Sequence, residues 1–310
     1  MKRILIILVL CIGMVNWADA QQLPQYSQYM NNNFLLNPGV TGSEEYIPIR
    51  LTARQQWVGI DRAPSTQALS GNFLLNNEMI GVGAYFFKDA FGPNSKTGAQ
   101  FSFSYIMKLG LWKSKLAMGL SGVIFQYTFD QSQEKWLDVG DPLLNGGVQT
   151  AIVPDANFGI YWHNDKFYLG LSANQLMQFK VDLLGYDASK NTLVRHYFMM
   201  AGYKIPINDK FDIEPSTQIK FMPAAPPSID LNVRGIYKKD YWLGVSYRAG
   251  IPLSTGTTLI AMLGFNYKKY IFGYAYDYPL TRLNNYTSGT HEFVIGVNLN
   301  KPTPIGNSLL

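Results

Sequence analysis

Three histidines are the first candidates for chemistry in this 310-residue sequence, because imidazole can act as a general base or a metal ligand near neutral pH. His163, His196 and His291 are far apart in sequence, and none has a second histidine or a cysteine at ligand spacing. A Ser–His–Asn esterase could be assembled from His196 or His291, but no local motif supports one. The residues therefore predict a protein that is not an enzyme and that has no cofactor or metal.

Charged side chains recur instead at alternate positions of segments that are otherwise apolar. Alternate side chains of a strand face the same side, so these charges are expected to share one face of a sheet. They are Asp212, Glu214, Asp230, Asp277 and Glu292 among the acids, and Arg50, Arg54, Lys108, Lys220, Arg234 and Arg248 among the bases. We favour a charge-balanced polar interior for them. The alternative is a network that holds a plug or a partner segment.

The elements that would position these charges are long alternating strands. A soluble sandwich also alternates, but its strands are typically about 5–6 residues long, whereas a tilted transmembrane strand needs about 9–11. The alternating segments are 47–58, 65–76, 79–88, 97–110, 112–128, 155–163, 166–179, 193–206, 209–221, 228–238, 240–251, 257–268, 270–279 and 290–300. They predict an all-β fold, a transmembrane antiparallel β-barrel of about fourteen strands.

The connections between these strands alternate in length, as they do in outer-membrane barrels with short periplasmic turns and longer extracellular loops. Short turns are predicted at Asn76-Asn77, Gly110-Leu111, Asn164-Asp165, Asn208-Asp209, Lys239 and Lys269. Longer loops are predicted at 59–64, 89–96, 129–154, 180–192, 222–227, 252–256 and 280–289. Aromatic residues beside the short turns predict an interfacial girdle: Trp112, Trp162, Tyr168, Tyr237, Tyr241, Trp242, Tyr267 and Tyr270.

An export signal precedes this region. Lys2 and Arg3 lead into an apolar run from Ile4 to Val15, and Ala18-Asp19-Ala20 matches a small-x-small cleavage site. The expected organisation is a signal peptide at 1–20, a periplasmic or plug segment at 21–46, a barrel at 47–300 and a periplasmic tail at 301–310. The expected location is the outer membrane.

Composition agrees with this class of protein. Charged residues make up 15% of the chain and aromatic residues 14%, whereas soluble domains carry about 25% charged residues. The basic residues are scattered, so no nucleic-acid partner is expected. The only cysteine, Cys11, lies in the predicted signal peptide, which leaves no thiol for disulfides or catalysis.

The segment before the first strand is rich in asparagine and glutamine. Unpaired amides in hydrocarbon cost several kcal/mol each, so residues 26–42 are expected to dock inside or under the barrel, with a turn at Asn37-Pro38-Gly39. Arg54 and Gln56 share the inward phase of the first strand and are the candidate receivers. Trp57 has the opposite phase and should anchor the strand beside loop 59–64. The candidate plug-docking or partner-docking residues are Gln28, Tyr29, Asn37, Pro38, Arg54, Gln56 and Trp57.

The same stretch resembles the start of the PorP/SprF family, outer-membrane proteins of type IX secretion. The positions that match the family pattern are Ser27, Gln28, Tyr29, Asn37, Pro38, Gly42, Arg54, Gln56, Trp57, Pro64 and Thr66. Tyr26 stands for the usual Phe and Gly39 for the usual Ala. Further similar segments are YLGLSANQL at 168–176, IEPSTQIK at 213–220, DYWLGVSYR at 240–248 and GYAYDY with GTHEF within 273–293.

The resemblance implies a structural or transport-accessory role with the outer-membrane lipid and other type IX secretion components as partners. PorP-like members belong to the core machinery and associate with periplasmic, peptidoglycan-linked proteins. SprF-like members support secretion or surface attachment of large proteins such as gliding adhesins, whose C-terminal domain would then be a partner. The rival class is an uptake channel for hydrophobic or small solutes, in which residues 21–46 would plug the lumen.

Overall fold

The structure, a computed structural model, describes residues 23–75, 78–133, 147–181, 192–223, 225–251 and 257–300. The expected signal peptide and C-terminal tail lie outside these ranges, as do the Asn76-Asn77 turn and the centres of loops 129–154, 180–192 and 252–256. None of the helices in the described ranges has the length and apolar character that crossing a membrane requires.

The described chain folds into a single antiparallel sheet of fifteen strand segments. They are β1 (Ile47–Gln55), β2 (Ser65–Leu74), β3 (Ile80–Phe91), β4 (Asn94–Lys108), β5 (Lys115–Asp130), β6 (Val148–His163), β7 (Phe167–Asn174), β8 (His196–Tyr203), β9 (Ile205–Asn208), β10 (Phe211–Met222), β11 (Ala225–Tyr237), β12 (Tyr241–Gly250), β13 (Thr258–Tyr267), β14 (Tyr270–Pro279) and β15 (Thr290–Leu299). β8 and β9 together form one strand of the barrel, because both pair with β10.

The sheet closes on itself, since β1 pairs with β15 from Ile47↔Leu299 to Gln55↔His291. The fold is therefore a closed fourteen-stranded antiparallel barrel, and the predicted fold class and strand number are confirmed. We call the end that carries the 109–114, 164–166, 209–210, 238–240 and 268–269 connections the short-turn rim, and the opposite end the long-loop rim.

Three predicted loops are shorter than expected. One is the loop at 222–227, where β10 ends at Met222 and β11 begins at Ala225. Only Gly92 and Pro93 separate β3 from β4, where a loop at 89–96 was expected, and Gly92 has a φ of 56° at this tight turn. β6 begins at Val148 and β5 ends at Asp130, so residues 129–130 and 148–154 of the expected 129–154 loop are strand. Around Gly92 and Pro93 the strands continue with polar residues such as Asp89, Asn94 and Lys96, which hydrophobic alternation does not register.

Inward and outward side chains alternate as the sequence indicates. Phe101 and Leu243 are among the most exposed outward residues, whereas Ser104 and Ser246 face inward and are buried. Lys108 departs from its expected inward direction: it lies exposed at the short-turn rim and pairs with Glu78 at 2.6 Å.

The predicted girdle is correct in part. Trp112 stacks on Trp162, with ring centroids 5.9 Å apart, and the outward exposed members also include Tyr237, Tyr241, Tyr267 and Tyr270. Trp242 and Tyr168 instead face the lumen. Trp242 is buried with Arg234 over its ring, and Tyr168 stacks on buried Tyr161. Trp242 follows Tyr241 in the same strand, so it takes the opposite face.

Candidate functional site

Residues 23–46 lie inside the barrel, and we call them the luminal plug. The Leu23 carbonyl accepts a hydrogen bond from Lys220 Nζ, 3.3 Å away, near the end of β10 at the long-loop rim. From there the plug descends through short 3₁₀ helices at Tyr29–Asn31, Asn33–Leu35 and Pro38–Val40. It reaches the short-turn rim at Tyr46, where β1 starts. Polar amides of the plug thereby meet the polar lumen and not lipid.

The upper part of the plug is held by a carboxylate that receives two consecutive backbone N–H groups. Ser27 N and Gln28 N donate to the two oxygens of Glu292 at 2.7 and 2.8 Å. Gln28 Nε2 also donates to the Glu292 carbonyl, and Ser27 Oγ donates to Asp277 Oδ2 at 2.8 Å. Since Glu292 is completely buried, the two backbone N–H bonds replace water that its carboxylate has lost.

Two arginines complete this arrangement. Arg54 donates to Glu292 at 3.0 Å, to Asp277 at 2.8 Å and to Ser27 Oγ at 2.8 Å. Arg248 binds Asp230 through Nε and a terminal nitrogen, and it also reaches Asp277 at 3.3 Å. We call the set Arg54, Asp230, Arg248, Asp277 and Glu292 the charged anchor. Each member is at least nine-tenths buried.

The barrel register brings these charges together. Arg54 and Glu292 are directly opposed where β1 meets β15, and Asp230 and Arg248 are opposed across the β11–β12 hairpin. Breaking a buried ionic set by removing one member typically costs about 3–5 kcal/mol, because the remaining charges lose compensation. The charged anchor therefore fixes the upper plug firmly.

The middle of the plug is bound by neutral and singly charged contacts. Asn232 Nδ2 donates to the Tyr29 hydroxyl at 2.7 Å, and Arg234 donates to Asn31 Oδ1 at 2.7 Å. Asn32 Nδ2 donates to Ser70 Oγ at 2.9 Å. Burial raises the pKa of the Tyr29 phenol well above its ordinary value, so this residue remains a neutral hydrogen-bond partner.

The lower plug is held without charges, by the Asn37-Pro38-Gly39 turn. Asn37 Nδ2 donates to the carbonyls of Ile160 at 3.0 Å and Leu171 at 3.3 Å, while its Oδ1 accepts from Gly39 N at 2.7 Å. Ser172 Oγ donates to the Leu36 carbonyl, and Gly42 N donates to Asn72 Oδ1, both at 2.8 Å.

Two glycines of the wall make room for this turn. Gly119 and Gly159 are opposed on β5 and β6. A Cβ at Gly119 would overlap the Pro38 carbonyl, and one at Gly159 would overlap the Asn37 side chain. We call Asn37 with Pro38, Gly39 and these two glycines the neutral anchor, because shape and amide hydrogen bonds seat it.

The predicted docking residues are thus placed as follows. Gln28, Tyr29, Asn37, Pro38 and Arg54 all take part in seating the plug. Gln56 lies beyond the end of β1, with its backbone N–H on the Pro64 carbonyl. Within the described residues no hydrogen bond joins its side chain to the plug.

Trp57 also lies beyond β1, in a left-handed conformation with φ of 46° and 38% exposed. Its backbone N–H donates to Thr290 Oγ1 at 3.1 Å, which connects it to the long-loop rim. The strand prediction extended to 58 and therefore gave both residues a strand phase that they do not have.

The sequence identifies Asp230, Arg248, Asp277 and Glu292 only as inward charges and favours a balanced polar interior for them. Contacts of Arg248, Asp277 and Glu292 with residues 26–28 correspond to the alternative, a network that holds a plug. One signal was available: in a hairpin centred on Lys239, Asp230 and Arg248 are equidistant from the turn and must face each other.

Below the plug, two adjoining clefts of about 420 and 350 Å³ occupy the short-turn end of the lumen. Residues that line both clefts are Met30, Asn33, Glu44, Tyr46, Lys204, Glu214 and Arg234. We call this space the vestibule. Its roof is the underside of the plug, and its wall mixes acidic, basic and amide groups.

The histidines have separate local partners. His196 Nδ1 contacts the Val194 carbonyl at 2.8 Å, His291 Nδ1 contacts the Tyr274 hydroxyl at 2.7 Å, and His163 stacks on Tyr161. Among the described residues, no group of three His, Cys, Asp or Glu side chains is arranged to hold a metal ion. The chemistry that this geometry offers is the binding of polar and charged groups.

Solved structures with a similar fold include two monoaromatic hydrocarbon channels. The CymD monoaromatic hydrocarbon channel is 13% identical, with 89% of this chain and 92% of that chain covered and a TM-score of 0.51. The deltaS2 mutant of the TodX monoaromatic hydrocarbon channel is 11% identical, with 88% and 94% covered and a TM-score of 0.51. At these identities the similarity concerns the fold alone.

No curated protein matches the sequence. A protein family does: residues 18–297 match the family described as "Type IX secretion system membrane protein PorP/SprF". This match spans the plug, both anchors and nearly all of the barrel, and the fold is that of outer-membrane barrels. The chain therefore belongs to the PorP/SprF family of type IX secretion system membrane proteins.

Proposed function

We propose that the protein is a non-enzymatic outer-membrane component of type IX secretion that supports the secretion or surface attachment of large proteins such as gliding adhesins. The observation that carries the proposal is the plug: a family member of this secretion system has its lumen filled by its own N-terminal segment, anchored by charges from β1, β11, β12, β14 and β15. A lumen filled in this way suits a docking platform for a partner protein.

The vestibule is the surface that the platform would offer. With the short-turn rim facing the periplasm, as in bacterial outer-membrane barrels, Met30 and Asn33 of the plug are presented toward the periplasmic side. Glu44, Lys204 and Arg234 add charges of both signs. A periplasmic secretion component, or the C-terminal domain of a secreted adhesin, would insert a polar segment here.

The test is a charge reversal in the vestibule, Lys204→Glu, made in the native host. Lys204 lies between β8 and β9 and lines both clefts. Reversing its charge therefore changes the vestibule and leaves both anchors unchanged. We expect normal barrel assembly, scored by heat-modifiable gel mobility, together with a loss of secreted adhesin from the cell surface. Arg282→Glu, an equal change on the exposed long-loop rim, is the matched control.

Loss of surface adhesin with Lys204→Glu but not with Arg282→Glu supports the proposal. Normal amounts of adhesin at the cell surface in both variants overturn the proposal and favour the uptake-channel alternative. One feature favours that alternative: a mostly apolar pocket of about 60 Å³ near the long-loop rim, lined by Leu23, Leu35, Phe87 and Phe125 and bordered by Asp89, Lys96 and Asp155. If the alternative holds, narrowing this pocket with Val123→Phe should slow the uptake of small aromatic solutes.

A further inference from the structure

The short-turn rim carries lysines on three consecutive turns of one side of the barrel. They are Lys210, Lys238, Lys239, Lys268 and Lys269, and all are exposed. None of them forms an ion pair with a carboxylate of the described residues. We call these five residues the lysine patch.

Backbone hydrogen bonds join these turns. Lys238 N donates to the Lys210 carbonyl at 2.6 Å, and Asn266 N donates to the Asp240 carbonyl at 2.6 Å. Asn266 Nδ2 also donates to the Lys239 carbonyl at 3.1 Å. The five ammonium groups are therefore carried by one connected stretch of the rim, not by independent loops.

Three of the ammonium groups lie against the lipid-facing side of the barrel. Lys238 Nζ lies 5.3 Å from the centre of the Tyr237 ring, Lys268 Nζ 5.5 Å from Tyr267 and Lys269 Nζ 5.6 Å from Tyr270. These tyrosines belong to the outward face and are 40–60% exposed. The charges thus sit beside the hydrocarbon boundary, where tyrosine rings and lysine side chains meet lipid headgroups.

An apolar groove of about 600 Å³ runs along the outer wall on the same side. It forms where the outward side chains are short, at Ala201, Pro215, Thr217 and Val233. Gly235 continues this low surface along β11 toward Lys238. At about 3.4 Å per residue, Val233 and Lys238 are roughly 17 Å apart along the strand, close to half of a hydrocarbon core about 30 Å thick.

We propose that this side of the barrel is a binding site for one anionic glycerophospholipid of the leaflet at the short-turn rim. The lysine patch would take the lipid phosphate, and the groove would take an acyl chain. An acidic protein is the other possible ligand for the lysines, but a partner arriving from the aqueous side would not favour ammonium groups placed over lipid-facing rings. The site is separate from the vestibule and does not depend on the proposed secretion role.

The experiment uses the full-length barrel, purified in detergent and titrated with phosphatidylglycerol or phosphatidylcholine of identical acyl chains, with bound lipid counted by native mass spectrometry. A lysine near an anionic lipid surface contributes about fivefold in affinity, so we expect the wild-type barrel to prefer phosphatidylglycerol by about fivefold or more. The variant Lys238→Gln/Lys239→Gln/Lys268→Gln/Lys269→Gln should lose that preference.

The control removes the same number of lysines elsewhere, through Lys88→Gln/Lys108→Gln/Lys113→Gln/Lys180→Gln, and should keep the preference. Val233→Trp, which places a large side chain in the groove, should lower the binding of both lipids alike. Equal affinity of the wild-type barrel for the two lipids overturns the proposal. So does displacement of bound phosphatidylglycerol by inorganic phosphate, since the groove then adds nothing. A patch variant that loses binding to poly-glutamate but keeps its lipid preference identifies an acidic protein as the ligand and also overturns it.

Discussion

The two ends of the plug are held by different kinds of interaction. The charged anchor holds Ser27 and Gln28 through carboxylates and guanidinium groups on one half of the barrel wall. The neutral anchor holds Asn37 and Pro38 on the other half through amide hydrogen bonds and the close approach that Gly119 and Gly159 allow. The upper end depends on charge compensation, whereas the lower end depends on the room that the two wall glycines leave for the backbone of the plug.

This difference sets the sensitivity of each end to substitution. Buried charges are stabilised by partners of opposite sign. Removing one member of the set therefore leaves the remaining charges buried without full compensation. The neutral anchor loses only single hydrogen bonds, each contributing about 0.5–1.5 kcal/mol, unless an added side chain blocks the site. The upper end should therefore fail when atoms are removed, and the lower end when atoms are added.

The largest effect is expected for Glu292→Ala. Arg54 would lose one of its two carboxylates, and two backbone N–H groups of the plug would lose their acceptor. We expect a loss of about 3–5 kcal/mol in unfolding free energy, measured by urea titration of the refolded barrel. The control is Glu78→Ala, whose partner Lys108 is exposed; such a pair contributes about 0–1 kcal/mol. Equal losses for the two variants would contradict a structural role for the charged anchor.

A smaller effect is expected when the neutral anchor is blocked by Gly119→Val. The new side chain would overlap the Pro38 carbonyl, and overpacking of this kind costs about 1–3 kcal/mol. Gly122→Val lies on the same strand but faces outward with open space around it, so it should be tolerated. Protease cleavage within residues 26–42 of the assembled barrel is the direct readout. It should rise only for Gly119→Val, and equal cleavage in both variants would remove the glycine pair from the anchor.

Sequence could predict the barrel because a strand period of two, repeated along the chain, fixes which residues face inward. The Asn and Gln content of residues 26–42 likewise predicted that this segment avoids lipid. Alternation alone does not show which inward charges lie next to each other in the barrel. Arg54 opposes Glu292 only because β1 closes on β15, and Asp277 joins them across β14.

The glycine pair was missed for a related reason. Glycine in a strand indicates a bulge or a close backbone approach, yet local sequence does not say what approaches. The role of Gly119 and Gly159 is visible only in the folded barrel, where β5 pairs with β6 and the Asn37-Pro38-Gly39 turn crosses them. Gln56 and Trp57 were assigned a phase by extending β1 past its end at Gln55.

A further test within the neutral anchor is Asn37→Ala. It removes bonds to the Ile160 and Leu171 carbonyls and the acceptor for Gly39 N. We expect a loss of about 1–2 kcal/mol in unfolding free energy, because the deleted bonds are neutral. Asn284→Ala, which removes an exposed bond to the Tyr278 hydroxyl, should change stability far less. A loss as large as that of Glu292→Ala would erase the distinction between the two anchors.

The smallest expected effect is the coupling between the anchors, measured by combining Glu292→Ala with Gly119→Val. If the plug seats as one unit, release of either end frees the other, and the second substitution costs less than it does alone. Residues that interact through a shared backbone segment show coupling of about 0.5–3 kcal/mol, whereas independent distant sites add to within about 0.3–0.5 kcal/mol. We expect the double variant to fall short of additivity by about 0.5–1 kcal/mol, because Asn232, Arg234 and Ser70 still hold the middle of the plug. Strict additivity would mean that the plug is two separately seated segments.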